Sequence, residues 1–510
     1  MASKPLNIST LIRKTPIPRW AAILAGILAA ILASVVLFLA VYAEPYLHRK
    51  SEDMLSSRFR SEVQIEQFHI SLFPLLSLRG TGIVLRHHGR TDVPPLLSIA
   101  EFSANASLRS MFGKPWHIQK VRLKGLTIQI PPRERRGKLM GSSASTQKRD
   151  IEVKIDELIS DDAELDILPG KPEKSPHQFL IHHLRMRDIG PGHGAPFEAT
   201  LTNATPPGEI HVKGELGPWQ RDEPRRTPLS AEYTFQDADL SVFKGISGIL
   251  SSQGKFGGVL ESIEVQGETA TPDFTVNTGG HPMMLKTEFN ATVDGTDGDT
   301  LLHPVVAHIG NSTLICNGGV VKPRNGKRGK EVVLEVTSNR ARLDDLLRLA
   351  VKSDQPPLTG RVNMRTKFDL PPGPEDVINR LELDGRFGIG DGEFTDPKVR
   401  EKIEGLSRRG QGRPKDEEAG DAVSQLKGNF KLRDGVITLR NLHFAVTGAN
   451  VQLDGTYGIR SERLDFHGKL HLQAKVSQTT TGIKSFLLKA VDPFFRKNGV
   501  TEIPIKVTGT

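Results

Sequence analysis

The side chains able to do chemistry are few, and their spacing works against each reaction they suggest. Gly248 to Lys255 reads GILSSQGK and resembles a loop that cradles phosphate with backbone N–H groups. Five residues separate Gly248 from Gly254 where four are needed, and Phe256 replaces the hydroxyl that would hold magnesium. Asp294, Asp297 and Asp299 bring three carboxylates together, as a calcium site requires. The alternate spacing and distant glutamate of such a site are missing, so a Gly-rich hairpin turn is the simpler reading. His87-His88 and His182-His183 would point to opposite faces of a strand, and neither doublet can then chelate one ion. His467 and His471 could share a face, yet no third ligand follows at a matching spacing. Cys316 lies in an apolar run and reads as core rather than nucleophile, and Asp344-Asp345 as part of a charged helix face. No catalytic, metal or cofactor site is expected.

Composition narrows the field further. A single cysteine excludes an internal disulfide and a Cys-based zinc site. The formal charge of +9 is spread along the chain instead of gathered in one block. Aromatics make up only 6% of residues, which argues against base stacking, so nucleic acid is not an expected partner.

One segment belongs in a membrane. Trp20 to Ala43 is uncharged, and as a helix would span about 36 Å against a hydrocarbon core of about 30 Å. It is far longer than the apolar part of a cleavable leader, so a retained single-pass anchor is expected. Lys4, Arg13, Lys14 and Arg19 before it are balanced by Arg49, Lys50, Arg58 and Arg60 after it. The long downstream region breaks the tie, since such domains translocate regardless of flanking charge. The N-terminus is placed inside and the bulk outside. Ala22, Gly26, Ala30 and Ser34 recur every four residues and would let a second helix approach closely.

Beyond the anchor the dominant period is two. Val63–Ile70, Val121–Ile130, Ile151–Ile155, Val436–Leu439, Val451–Leu453 and Lys469–Val476 alternate apolar and polar residues, as half-buried strands do. Continuous apolar runs are absent, so the pairing should be mostly antiparallel. A unit apolar-x-apolar-x-Gly recurs, ending at Gly80, Gly125, Gly214, Gly267, Gly385, Gly455, Gly468 and Gly509. A glycine at a strand end permits positive φ, and so predicts bulges or turns that curve the sheet. Ala341–Lys352, Pro397–Arg408 and Gly482–Pro493 carry apolar residues at helical spacing. The expected architecture is mainly β: one N-terminal transmembrane helix, then a curved, mostly antiparallel, elongated sheet with a few short helices. Its expected divisions are a cytoplasmic start (1–19), the anchor (20–43), an N-terminal β region (44–130) and a flexible loop (131–150). A central β-rich region (151–410), a second loop (411–420) and a C-terminal unit (421–510) follow.

The C-terminal unit carries a family resemblance. GANVQLDGTY from Gly448, LDFHG from Leu464, SQTTTGIKS from Ser477, DPFF from Asp492 and IPIKVTGT from Ile503 follow in order. Together they resemble the C-terminal region of AsmA-like proteins, and the anchor with Val63-Gln64-Ile65 and Leu72-Phe73-Pro74 resembles the family's start. The match is looser over about 150–420, and a few residues beyond Thr510 would be expected. The resemblance implies an inner-membrane protein of a Gram-negative bacterium with a periplasmic β body. It also implies kinship with bridge-type lipid-transfer proteins, whose bent sheet holds acyl chains.

On this reading the chain binds or moves phospholipid between inner and outer membranes and serves outer-membrane homeostasis. The alternative is a non-enzymatic structural or assembly factor for outer-membrane proteins, with the same alternating faces closed into a sandwich. Period-two patterning does not separate the two. Val451 and Leu453 are the candidate groove-lining pair. The stripe of Ile483, Phe486 and Leu487, with Lys484 and Lys489 at its border and Phe494-Phe495 beyond, either plugs the sheet's end or docks on a membrane or partner.

Overall fold

The computed structural model describes residues 62–71, 76–86, 95, 97–107, 116–130, 153–167, 177–220, 223–277, 280–295 and 298–323. It also describes residues 329–414, 424–479, 496–497 and 500–509. The anchor with its Ala22, Gly26, Ala30 and Ser34 stripe, the loop 131–150, most of 411–420 and the segment Gly482–Phe495 lie outside the described residues.

Twenty-four strands form one sheet. The first nine are β1 (Glu62–Ser71), β2 (Leu76–Arg86), β3 (Leu97–Ala106), β4 (Trp116–Ile130), β5 (Val153–Ile167), β6 (His177–Ile189), β7 (Ala195–Ala204), β8 (Pro207–Leu216) and β9 (Pro228–Asp239). Next come β10 (Ile246–Ser247), β11 (Ile249–Val259), β12 (Ser262–Val276), β13 (Met283–Val293), β14 (Thr300–Ile309), β15 (Ser312–Val321), β16 (Glu331–Arg342), β17 (Leu358–Leu370) and β18 (Glu382–Phe394). The last are β19 (Ser424–Arg433), β20 (Val436–Val446), β21 (Ala449–Gly458), β22 (Leu464–Leu472), β23 (Arg496–Lys497) and β24 (Val500–Gly509).

Neighbours in the chain are neighbours in the sheet. Each long strand pairs with the one before it, and the two-residue strands β10 and β23 sit beside β12 and β24. Pairing is antiparallel except between β4 and β5, which run parallel because the chain returns the length of a strand between residues 130 and 153. The sheet is unbroken across the stretches 131–150 and 411–420, since β4 pairs with β5 and β18 with β19.

Curvature comes from a source that glycine counting misses. Asp162, Asp237, Arg340, Asp391 and Asn441 adopt positive φ within or beside strands, and registers slip between Ser338 and Ala341, Ile389 and Gly392, and Leu439 and Leu442. Each bulge bends and twists its strand locally. Of the eight recurrent glycines only Gly125 has positive φ, so the expectation that they act as turn residues is corrected. All but Gly509, which ends β24 with open space around it, stand where a side chain would strike the neighbouring strand: a Cβ on Gly267 would come 2.7 Å from the Gln253 carbonyl oxygen and 3.0 Å from the Phe289 ring. Glycine is there for close approach.

The coil brings opposite margins of the sheet together. Val377 N–H, in the β17–β18 connection, donates to Lys244 O in the β9–β11 connection at 2.9 Å. Lys352 Nζ, after β16, lies 3.5 Å from Glu462 Oε1 in the β21–β22 hairpin. In both contacts a residue on one margin meets a residue on the other several strands away.

Two amphipathic helices lie on one margin. Leu343–Ala350 is shorter than expected, because Ala341 and Arg342 stay in β16. Pro397–Gly410 begins where Asp396 Oδ1 accepts from Lys398 N at 2.7 Å and Val399 N at 3.2 Å, with Pro397 in the first turn. The strand expected over Lys469–Val476 ends at Leu472. Beyond it Gln473 N–H donates to Gly448 O and Ala474 N–H to Gly410 O, turning the chain into the margin.

Candidate functional site

Alternation gives the sheet two unlike faces. On β8, Ile210, Val212, Gly214 and Leu216 point one way and Glu209, His211, Lys213 and Glu215 the other. Register carries the apolar set from strand to strand. Phe197, Gly214, Ala231, Phe256, Val265, Ala291 and Leu302 form one row across seven strands. Phe430, Leu439, Gly455, Phe466 and Val507 form another across the last five long strands. Within them aromatic rings stand beside glycines. A Cβ on Gly455 would reach the Phe466 ring at 2.5 Å, so the ring lies over the bare backbone and smooths the floor.

This apolar face is lined but not covered. Phe197, Phe256, Val265, Leu302, Phe430, Leu439 and Phe466 are all half-exposed. Among the described residues not one Phe, Tyr, Trp or Met is buried, and the largest side chains wholly shut from solvent are Thr227, Thr271 and Thr501. A sandwich core buries its aromatic rings first, because each removes 150–250 Å² from water. No second sheet faces this one among the described residues. The arrangement is a long, half-buried apolar face, termed the trough below.

Small buried clusters join Val63, Ile65 and Leu85 in β1–β2 and Ile99, Leu126 and Ala163 in β3–β5, and two more lie at the margin where the helices sit. Leu343 packs with Ala341, Val362 and Ile389, joined by Leu346, Leu347, Met364 and Phe387. Ile403 and Leu406 close over Val446, Ala449 and Leu472, with Leu470 and Ile503 beside them. Asp345, expected on a charged helix face, is buried. It accepts from Asn311 N at 2.8 Å and from Ser312 Oγ at 2.9 Å, clipping its helix to the β14–β15 turn. Its neighbour Asp344 stays at the surface and pairs with Arg342 at 2.8 Å.

The candidate lining pair falls on the apolar face, in different settings. Leu453 stands opposite Leu442 and Gly468 and is half-exposed, whereas Val451, opposite Phe444 and Leu470, is buried near the helical margin. The proposed contact residues Ile483, Lys484, Phe486, Leu487, Lys489, Phe494 and Phe495 lie outside the described residues.

The polar face is organised by charge. Lys120 faces Glu157 at 2.8 Å, Arg185 reaches Glu157 diagonally at 2.6 Å, and Lys213 meets Glu198 at 3.2 Å. Register extends the ladder through Arg185–Glu198, Lys213–Glu232 and Glu232–Lys255, so sign alternates across seven strands. Hydrogen bonds from Lys120 and Arg185 hold the Glu157 carboxyl below its ordinary range, and Lys213 does the same for Glu198. A concavity of about 1150 Å³ lies on this polar face between Lys213, Glu232, Lys255, Glu268 and Glu288. Its mixed charges are the ladder itself, and it is not part of the trough.

The motifs read for chemistry resolve into structure. His182 and His183 do not face opposite ways, because the register slips between Ile181 and His183. His182 meets Thr202 Oγ1 at 2.7 Å and His183 meets Asp161 at 2.8 Å, both on the polar face. Asp294 and Asp299 close a hairpin, with Asp294 N–H donating to Asp299 O at 2.9 Å. Cys316 lies half-buried in β15, and burial pushes its thiol up, away from the reactive thiolate. Gly248 to Lys255 belongs to a strand and its bulge, not a loop. Among the described residues no group of three or more His, Cys, Asp or Glu could hold a metal ion, and no helix is long and apolar enough to cross a membrane. No family model matches the chain, and a search of curated proteins returns no match.

Proposed function

We propose that this chain holds lipids by their acyl chains along the trough and moves phospholipid between the inner and outer membranes of a Gram-negative envelope. One observation carries the binding reading: an apolar face running through successive strands, half-buried along its length, with no buried aromatic ring and no facing sheet among the residues whose burial is described. Leaving such a face to water costs about 25 cal/mol for each Å² that a ligand could cover, and a hydrocarbon chain is the ligand that fits a row of unbroken apolar side chains. The location rests on the uncharged run Trp20–Ala43 and on the AsmA-like order of motifs at the C-terminus. Lipid contact needs no catalytic group.

Site-specific photocrosslinking in cells tests it on the full chain. p-Benzoylphenylalanine replacing inward-facing Leu453 should yield phospholipid adducts, and the same probe at outward-facing Gln452 should not. Leu453→Asp should leave the protein folded but reduce lipid recovered from a probe at Phe466 at least fivefold. Val451→Asp, at the buried position, should unfold the local margin. Protein adducts alone from inward positions would instead support the structural or assembly reading.

A further inference from the structure

The helix Pro397–Gly410 runs along the margin of the trough, from the end of β18 to the β20–β21 turn, where Ser407 Oγ donates to Thr447 O at 2.8 Å. Fourteen residues at helical rise cover about 21 Å, the width of about four strands. Its inner face is committed to protein, with Ile403 and Leu406 on Val446, Ala449 and Leu472. Its outer face is basic: Lys398, Arg400, Lys402, Arg408 and Arg409 against Glu401 and Glu404.

The distribution matters more than the total. Lys398, Lys402 and Arg409 stand at i, i+4 and i+11, which places them on one flank, and all three are exposed. Glu404 lies on the opposite flank and Glu401 on the crest between. None of the three cations has an ion-pair partner among the described residues. A like-charged pair at i, i+4 weakens a helix by a few tenths of a kcal/mol, so a solvated face would be expected to mix signs here as the sheet's polar face does. A cationic flank set beside apolar lining residues has the arrangement that an anionic amphiphile requires.

We infer that Lys398, Lys402 and Arg409 bind the phosphate-bearing headgroup of an anionic phospholipid whose acyl chains lie against Leu470 and Ile503. The inference rests on the lipid-binding reading and adds headgroup selection to it. Because the helix's apolar face is already packed, the flank meets the headgroup of trough-bound lipid and does not insert into a bilayer.

The test is p-benzoylphenylalanine at Leu470 in the full-length chain, in cells, with phosphatidylglycerol and phosphatidylethanolamine adducts measured by mass spectrometry. In the wild-type chain phosphatidylglycerol should be enriched about fivefold or more over its share of the membrane, the scale of one cation acting on an anionic headgroup. The triple substitution Lys398→Glu, Lys402→Glu, Arg409→Glu should return the ratio to that of the membrane, with total lipid adduct unchanged. Lys398→Arg with Lys402→Arg should keep the enrichment. Enrichment surviving charge reversal overturns headgroup selection while leaving the trough reading intact. An equal fall in both lipids overturns it too, assigning the flank to membrane docking. No lipid adduct from any variant removes the trough reading and this one together.

Discussion

The stretch from β4 to β11 and the stretch from β16 to β24 build the same trough by different means. In the first, an exposed ladder of alternating charge runs from Lys120 to Lys255, and, among the described residues, the one buried apolar cluster, Leu126 and Ala163 with Ile99 of β3, sits at its start without a helix over it. In the second, charge pairs are still present, as between Arg433 and Glu382, but two marginal helices add buried apolar clusters around Val362 and Val446. Where the floor must stay open, a sheet cannot draw its uniqueness from a core. It can draw it from cross-strand pairs on the wet face or from packing at the margin. The comparison predicts that the second stretch is sensitive to changes in packing and the first to changes in ionic conditions.

The largest effect should come from Val362→Asp. This side chain is 3% exposed beneath the helix Leu343–Ala350, and an unpaired carboxylate there should cost on the order of 4 kcal/mol. Denaturant unfolding followed by hydrogen exchange should show β16 to β18 opening first. Equal loss from the same change at half-exposed Val265 would erase the distinction between margin and floor.

Asp345→Ala comes next. It removes the acceptor of the Asn311 N–H in a buried turn and one partner of the Ser312 hydroxyl, which keeps Arg342 O as its acceptor, an expected loss of about 1–3 kcal/mol. Asp344→Ala, one residue away at the surface, should be nearly silent in the same unfolding measurement.

The smallest effect belongs to the ladder. Lys213→Glu puts like charges beside Glu198 and Glu232 and should lower the melting midpoint by no more than about 2 °C at low salt, and by nothing measurable at 1 M salt. The ladder also has an acid limb. Glu157 and Glu198 have folded pKa values below 4.5, so their contribution is whole above about pH 4.5 and is lost as the pH falls through those lower values. Exposure makes the contribution modest. Hydrogen exchange corrected for intrinsic rate should show β5 to β8 loosening as the pH falls below 4.5 while the β16–β18 margin holds.

Much of this was legible in the residues. Alternation located β1, β4, β20 and β21, because a half-wet strand writes its two faces directly into the sequence. The helices at Leu343–Ala350 and Pro397–Gly410 followed from apolar spacing for the same reason. The glycine units marked strands correctly, but not as turn residues. What matters at Gly267 and Gly455 is the ring on the next strand, and adjacency between strands is not written locally. The bulges at Asp162, Asp391 and Asn441 were invisible, since these residues usually signal turns. Asp344 and Asp345 look equivalent in sequence, and only the β14–β15 turn distinguishes them. The candidate pair Val451 and Leu453 could be assigned one face, but not the burial that separates them.

Sequential pairing has a consequence for how the chain is made. With nearly every strand docking on the one before it, loop closure is cheap throughout, and the sheet can grow as a zipper from the end that emerges first. Each added strand completes its predecessor and becomes the new unpaired edge, so the exposed hazard at any moment is one strand, not the whole sheet. The parallel step from β4 to β5 is the pause in that sequence. Strand β5 lies parallel to β4 and cannot add as a hairpin, so β4 stays the unpaired edge until Val153–Ile167 has been made.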